Sequence, residues 1–279
     1  MSSPSVSILI PTYNQSEVVA QAIDSALMQD YAGLEVIVSD DSTDDETEKL
    51  VHKYASDPRF RYYRNKPALG KAANYRKLLY EYSSCEWVVN LDGDDHYTDQ
   101  TFISSAVKSI QDAGAENVVF YMASQIMAYP YRDQLLQPLL PDEETVMTAG
   151  EYVYRIYSIL HFSHLSTLYN AVLARQSGFY EKDIISSDMH SFFKICLRNK
   201  NKKVILSKKI AGKWVQHGAN ESRDNNFKKH LRNSGYYFSI FRFAVKNKTA
   251  GIGKNTGWLA KSLFLYWGSY LKRLVIKRK

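Results

Sequence analysis

Short apolar runs recur along the first half of the chain, and each closes on polar residues of a different kind. Ser5-Val6-Ser7-Ile8-Leu9-Ile10 reads as a strand that stops at Pro11, because proline cannot donate to a ladder, leaving Pro11-Thr12-Tyr13-Asn14 as a loop. Val19, Ala22, Ile23, Ala26 and Leu27 then share the spacing of one buried helical face. Leu34 to Ser39 predicts a second strand ending on Asp40-Asp41-Ser42-Thr43-Asp44-Asp45-Glu46. Thr43 and Glu46 in that run have capping-box spacing for a helix through Leu50, Val51 and Tyr54. Phe60 to Tyr63 is a third, shorter strand. Gly70 to Asn74 leads into a helix carrying Leu78, Leu79 and Tyr82, and Trp87 to Leu91 forms a fourth strand. Strands alternating with helices predict an α/β fold with parallel pairing through right-handed crossovers.

The second half patterns less cleanly. Asn117 to Met122 predicts another strand, followed by a loop holding Pro130, Pro138 and Pro141; Thr148 and Glu151 have capping-box spacing before a Tyr-rich helix, Tyr152 to Leu160. His161, Ser163 and His164 follow it, and with no third ligand nearby they fit packing or the lining of an acceptor site better than a metal site. Ser166 to Val172 returns to the sheet, Ser187-Asp188 opens a helix through Leu197, and Val204 to Leu206 is a late strand. From Trp258 the apolar residues Leu259, Leu263, Tyr266, Trp267, Tyr270, Leu271 and Leu274 recur near helical spacing among Lys261, Lys272, Arg273, Lys277, Arg278 and Lys279.

Composition adds one decisive fact. The 279 residues, 45% hydrophobic and 23% charged, are ordinary for a globular protein with one or two cores, and two cysteines, Cys85 and Cys196, are too few for a disulfide framework. A reducing, cytoplasmic setting is expected, with neither a signal peptide nor a membrane span in the sequence. The charge, however, is divided. No acid follows Asp224, and 13 of the 36 Lys and Arg residues lie beyond it, leaving 23 basic against 29 acidic residues in the body. A tail of that sign and pattern suits an anionic membrane surface through residues 258–279, or packing on the body or a second subunit; no nucleic-acid motif accompanies it.

The candidate chemistry begins at Leu91-Asp92-Gly93-Asp94-Asp95. Three carboxylates at a strand end repel one another unless a cation joins them, and oxygen ligands favour a hard ion such as Mg²⁺ or Mn²⁺; a solvated acidic turn is the alternative. No Gly-x-Gly-x-x-Gly follows the first strand and no Gly-x-x-x-x-Gly-Lys-Ser/Thr is present, which argues against dinucleotide hydride transfer and P-loop hydrolysis. The acid pair Asp40-Asp41 alone reads equally as a helix N-terminus favoured by the macrodipole.

Taken in order, Ser7 to Asn14, Val38 to Asp44 and Leu91 to Asp95 resemble the successive motifs of family 2 glycosyltransferases, over about the first 125 residues. The resemblance implies a GT-A, Rossmann-like, mostly parallel central sheet flanked by helices, with a C-terminal helical extension. It divides the chain into a nucleotide-sugar half (1–125), an acceptor and catalytic half (126–224) and a basic amphipathic tail (225–279). It also implies that Pro11, Thr12, Tyr13 and Asp41 hold a uracil-type base, that Asp92 contacts the ribose, and that Lys71 lies near the diphosphate. Asp92 and Asp94 match the family's Asp-x-Asp metal site, with Asp95 supporting, although the family's Ala-Arg-Asn form of the Gly70 to Arg76 segment is absent. Ser187-Asp188 resembles the Glu-Asp motif whose Asp is the general base of an inverting transfer; Ser187 departs from it. Trp214-Val215-Gln216-His217-Gly218-Ala219-Asn220 is similar to the family's Tyr/Trp-Arg-x-His-Gly-Gly-Asn, in which the His closes over the diphosphate and completes the metal site. The implied activity is metal-dependent, inverting transfer of a sugar from a nucleotide diphosphate, UDP foremost, to a saccharide or lipid-linked acceptor at the inner face of a membrane. A nucleotidyltransferase and a silent nucleotide-binding scaffold are the competing readings.

Overall fold

The computed structural model describes residues 4–159, 161–217 and 226–276. The predicted Leu160, Gly218-Ala219-Asn220 and Lys277 to Lys279 lie outside them. Ten strands, β1 (Val6–Thr12), β2 (Leu34–Asp40), β3 (Phe60–Arg64), β4 (Trp87–Asn90), β5 (His96–Tyr97), β6 (Val118–Tyr129), β7 (Arg132–Leu136), β8 (Glu144–Thr148), β9 (Thr167–Asn170) and β10 (Lys203–Val215), join one sheet. Its order is β3-β2-β1-β4-β9-β6-β10-β5, with β7 on β6 and β8 on β10. β3, β2, β1 and β4 are mutually parallel, β6 and β10 are parallel to each other, and β9 runs antiparallel between the two groups. This is the mixed, mainly parallel sheet of an α/β fold.

Alternation along these strands sorts side chains to two faces, both covered, which is why the strands read as unbroken apolar runs. Leu9, Ile37 and Val88 face one core with helices α3 (Lys71–Lys77), α5 (Ala149–Ile159) and α7 (Ser187–Arg198). Ile8, Ile10, Val36 and Val89 face the other, against α1 (Val19–Leu27) and α4 (Phe102–Asp112). The remaining helices are α2 (Glu46–Val51), α6 (Ala171–Gln176), α8 (Phe227–Lys246) and α9 (Ile252–Ile276).

Several local expectations are corrected. β1 continues through Pro11 to Thr12. The Leu9 carbonyl accepts from Leu91 and the Thr12 carbonyl from Asp41, so Pro11's missing N–H faces the β4 side, beyond the last pair Leu9↔Asn90, where no ladder bond is lost. Thr43 does not cap α2: its backbone N–H donates to the Asn14 side chain instead, and the helix starts at Glu46. The loop expected after Met122 is the β6–β7 hairpin, joined to β8. Thr148 does accept from the Glu151 amide (3.2 Å) at the start of α5.

The tail is two helices packed on the body and on each other. Trp258 and Tyr270 are buried, Leu259, Leu263 and Tyr266 lie against the core, and the Trp258 indole donates to the Val153 carbonyl (3.0 Å). Most of the apolar face that the sequence offers to a membrane is therefore turned inward; Phe264, Leu265 and Leu271 remain outside with Lys261 and Lys272. No helix among the described residues is long and apolar enough to cross a membrane.

Candidate active site

The loops leaving β1, β2 and β4 meet at the carboxyl edge of the sheet, where open α/β sheets bind ligands. The Asp41 amide donates to the Thr12 carbonyl (2.9 Å), and the Asn14 amide donates to Ser42 Oγ (2.9 Å), tying the first loop to the second. Gly93 seats the fourth loop against the first: a Cβ there would stand 2.6 Å from Gln15 Oε1 and 3.1 Å from Thr12 Oγ1, so a larger residue would displace the Gln15 side chain and press on β1.

The two acids after β2 do different jobs. Asp40 is spent on structure, accepting from the Ser42 amide and the Tyr62 hydroxyl, both at 2.8 Å. Asp41 accepts from the Leu69 and Gly70 amides (3.2 and 2.9 Å) and from Asn65 (2.9 Å). Three bonds leave one acceptor position on a carboxylate that has about four. Gly70 holds φ +86°, the left-handed conformation that turns this amide pair onto Asp41 before α3 begins. Asn74 is buried and donates to the Ser39 carbonyl (3.0 Å), so it anchors α3 to β2.

Beyond β4, Asp92, Asp94 and Asp95 bring one oxygen each within 4.8 Å of one another. His217 Nε2 lies 2.5 Å from Asp94 Oδ2, at the end of β10. Asp95 is buried and accepts from the Val215 amide (2.8 Å); burial, then the charges of Asp92 and Asp94, push its carboxyl well above the ordinary range. An all-oxygen donor set under mutual repulsion, with an imidazole beside it, fits a hard divalent ion.

A cavity of about 280 Å³ opens beside this cluster, lined by Lys71, Asp92, Asp95 and Asp188 among others. Asp188 lies in the first turn of α7, part-exposed, its Oδ1 accepting from the next amide (2.7 Å). The start of that helix is held from the tail: Asn233 on α8 accepts from the Ser186 amide (2.9 Å) and donates to Ser186 Oγ (3.0 Å) and to the Tyr266 hydroxyl of α9 (3.0 Å). Of the residues singled out in the sequence, Pro11, Thr12, Tyr13, Asp41, Asp94 and His217 do not line the cavity; they lie along the adjoining loop edge, with Tyr13 exposed.

Among the lining residues outside the predicted nucleotide, metal and catalytic positions, Tyr75 and His164 stand beside the carboxylates. Tyr75 donates to Asp92 Oδ1, and burial followed by the Asp92 charge raises its phenol well above the ordinary range. Its position four residues after Lys71, on the same helical face, is the signal that could have revealed it. His164 reaches the cavity whereas His161 does not: His161 is buried on the Ala123 carbonyl (2.8 Å), where burial lowers its pKa to about 4, and Ser163 bonds Gln125 (2.5 Å).

The family described as Glycosyl transferase family 2 matches residues 7–205. The Escherichia coli UDP-Glc:alpha-D-GlcNAc-diphosphoundecaprenol beta-1,3-glucosyltransferase WfgD is 38% identical over 90 residues, 32% of this chain and 35% of that protein. The stretches matched in the first three curated relatives span between 29% and 35% of their own lengths. Among solved structures, S. aureus TarS 1-349 in complex with UDP-GlcNAc superposes with TM-score 0.74 at 19% identity, over 93% of this chain and 71% of that one. The mannosyltransferase PcManGT of Pyrobaculum calidifontis, in complex with GDP-Man and Mn²⁺, gives 0.59 at 18% identity, over 99% and 75%. These two share the fold, and the motifs at β1, β2 and β4 fall inside the matched family region: the chain belongs to glycosyl transferase family 2.

Proposed function

We propose that the protein transfers a sugar, with inversion, from a nucleotide diphosphate to a hydroxyl of a saccharide or lipid-linked saccharide during surface polysaccharide or glycolipid assembly. One observation carries the reading: the carboxylates leaving β4 and a separate carboxylate on α7 converge on one cavity. In this reading Pro11, Thr12, Tyr13 and Asp41 hold the base, and the unspent acceptor position of Asp41 suits the imide N–H of uracil. UDP is favoured accordingly, and TarS was solved with a UDP-sugar. Asp92 takes the ribose, and Lys71 sits near the phosphates. Asp92, Asp94, Asp95 and His217 would hold Mn²⁺ or Mg²⁺, which when bound supplies positive charge to the departing diphosphate.

Asp188 acts on the other reactant. An acceptor hydroxyl is a poor nucleophile near neutral pH, and Asp188 takes its proton as the oxygen bonds to the anomeric carbon. The bond from that carbon to the diphosphate oxygen breaks, the nucleoside diphosphate leaves with the bonding electrons, and the configuration inverts. General-base assistance of this kind contributes roughly 10²–10⁴-fold. Turnover of a donor panel with Mn²⁺ tests the reading: nucleoside diphosphate released with at least one nucleotide sugar is expected, and UDP binding without turnover of any donor overturns it in favour of a silent scaffold.

The lipid-linked acceptor is supported by the named activity of WfgD and by the basic tail. Phe264, Leu265 and Leu271 with Lys261 and Lys272 then meet an anionic bilayer at the cytoplasmic face, each near-surface cation contributing about 1 kcal/mol. Flotation with vesicles containing phosphatidylglycerol should drop in the double variant Lys261→Glu, Lys272→Glu; unchanged flotation rejects the membrane surface.

A further inference from the structure

His164 occupies ground between the two sets of carboxylates. Its Nε2 is 3.9 Å from Asp92 Oδ1 and its Nδ1 is 3.9 Å from Asp188 Oδ2. Both separations exceed hydrogen-bonding distance, and neither ring nitrogen has a hydrogen-bond partner among the described residues. The side chain is 16% exposed, and its orientation is fixed by edge contacts to Tyr75 (centroids 5.4 Å apart) and Tyr180 (6.4 Å). Three residues earlier, His161 spends Nε2 on a carbonyl. His164 has no such use of its ring, although buried polar groups in folded proteins are nearly always paired.

What would pair with it follows from what lies around it. Polar edges set between aromatic walls, here Phe162, Tyr180 and Trp214, are the usual build of a site for an amphipathic small molecule. A hydroxyl can donate to the bare ring nitrogen or accept from the protonated one, so it suits whichever edge of this ring a ligand meets. In the transfer proposed above, the reacting carbon lies between the diphosphate and the general base, so the body that fills the cavity lined by Asp92, His164 and Asp188 is the transferred sugar. We propose that His164 reads a hydroxyl of that sugar and so is a specificity-determining residue for the donor's glycosyl group, separate from the loop edge that holds the nucleotide. This rests on the glycosyl-transfer reading.

The test compares UDP, the accepted UDP-sugar and its singly deoxygenated analogues, by calorimetry and by kcat/KM, in wild type and in His164→Phe, which keeps the ring contacts and removes both nitrogens. UDP affinity should be unchanged in the variant, which also reports that it is folded. For the intact donor, affinity and kcat/KM should fall about tenfold or more. One deoxygenated donor should suffer a similar loss in wild type and no further loss in the variant, whereas His164→Asn should recover part of the intact donor's advantage. If the variant still discriminates every deoxygenated donor as wild type does, or if UDP affinity falls as far as donor affinity, the assignment is overturned. Failure of the transfer reading looks different: donors bind with the His164-dependent difference intact, and none turns over.

Discussion

The loop edge proposed to hold the donor and the helix edge proposed to face the acceptor are held by different means. At the donor edge every buried acid is gripped by backbone: Asp40 by the Ser42 amide, Asp41 by those of Leu69 and Gly70, Asp95 by that of Val215. The amides belong to loops leaving strands of one sheet, so the sheet itself sets the geometry. At the acceptor edge, Asp188 sits on the first turn of a helix whose start is held by one side chain, Asn233, 47 residues away from Ser186. Backbone-held sites survive variation in their surroundings, whereas a side-chain-held site can be retuned by a single substitution.

The largest expected effect separates the edges by function. Asp188→Asn should lower transfer roughly 10²–10⁴-fold and leave UDP affinity in Mn²⁺ unchanged, whereas Asp94→Ala should abolish the Mn²⁺-dependent part of UDP binding. Calorimetry with and without Mn²⁺ checks both, and equal loss of UDP affinity in the two variants would erase the distinction. Next comes stability, where His161 behind the acceptor edge is the lever. Its burial favours the neutral ring and lowers its pKa to about 4, so the unfolded chain binds the extra proton and stability is lost as pH falls from about 6.5 towards 4. At 1.36 kcal/mol per unit the loss reaches on the order of 3 kcal/mol by about pH 4 and is close to nothing at neutral pH. Urea titrations across that range should show a shallower pH slope in His161→Gln; an unaltered slope refutes it. Smallest is Asn233→Leu, which leaves the Ser186 amide without its acceptor. It should cost about 1–3 kcal/mol, lower transfer several-fold and spare UDP binding. Transfer at the wild-type rate would mean that the start of α7 does not depend on the tail.

The same contrast governs what could be read from the sequence. The strands and acidic loops of the first edge were legible because each piece is local: an apolar run, then acids, as at Val36 to Asp41 and Val88 to Asp95. The parallel pairing of β1 to β4 followed from that rhythm. β9 was foreseen as a strand, but not its antiparallel entry between β4 and β6, since four residues carry no sign of direction. β5 was missed because it is two residues long with its partner far along the chain, and β7 because it is exposed. Thr43 has the right spacing for a cap, but a neighbouring loop claims it. His161 and His164 look alike in sequence and separate only when the sheet buries one ring on Ala123 and leaves the other facing the cavity. In α9 the periodicity was read correctly, but a pattern of apolar positions says that a face is covered without saying by what, and most of this one lies against the body.

The bracket that Asn233 makes between Ser186 and Tyr266 has a practical consequence for anyone shortening this protein. Removal of the last helix takes away Tyr266 and the Trp258 indole, so it strips a support from the start of α7 as well as a row of positive charges. A truncated enzyme that loses activity has thus lost two things at once, and charge reversal on the outer face of the intact helix is the cleaner way to ask what that helix touches.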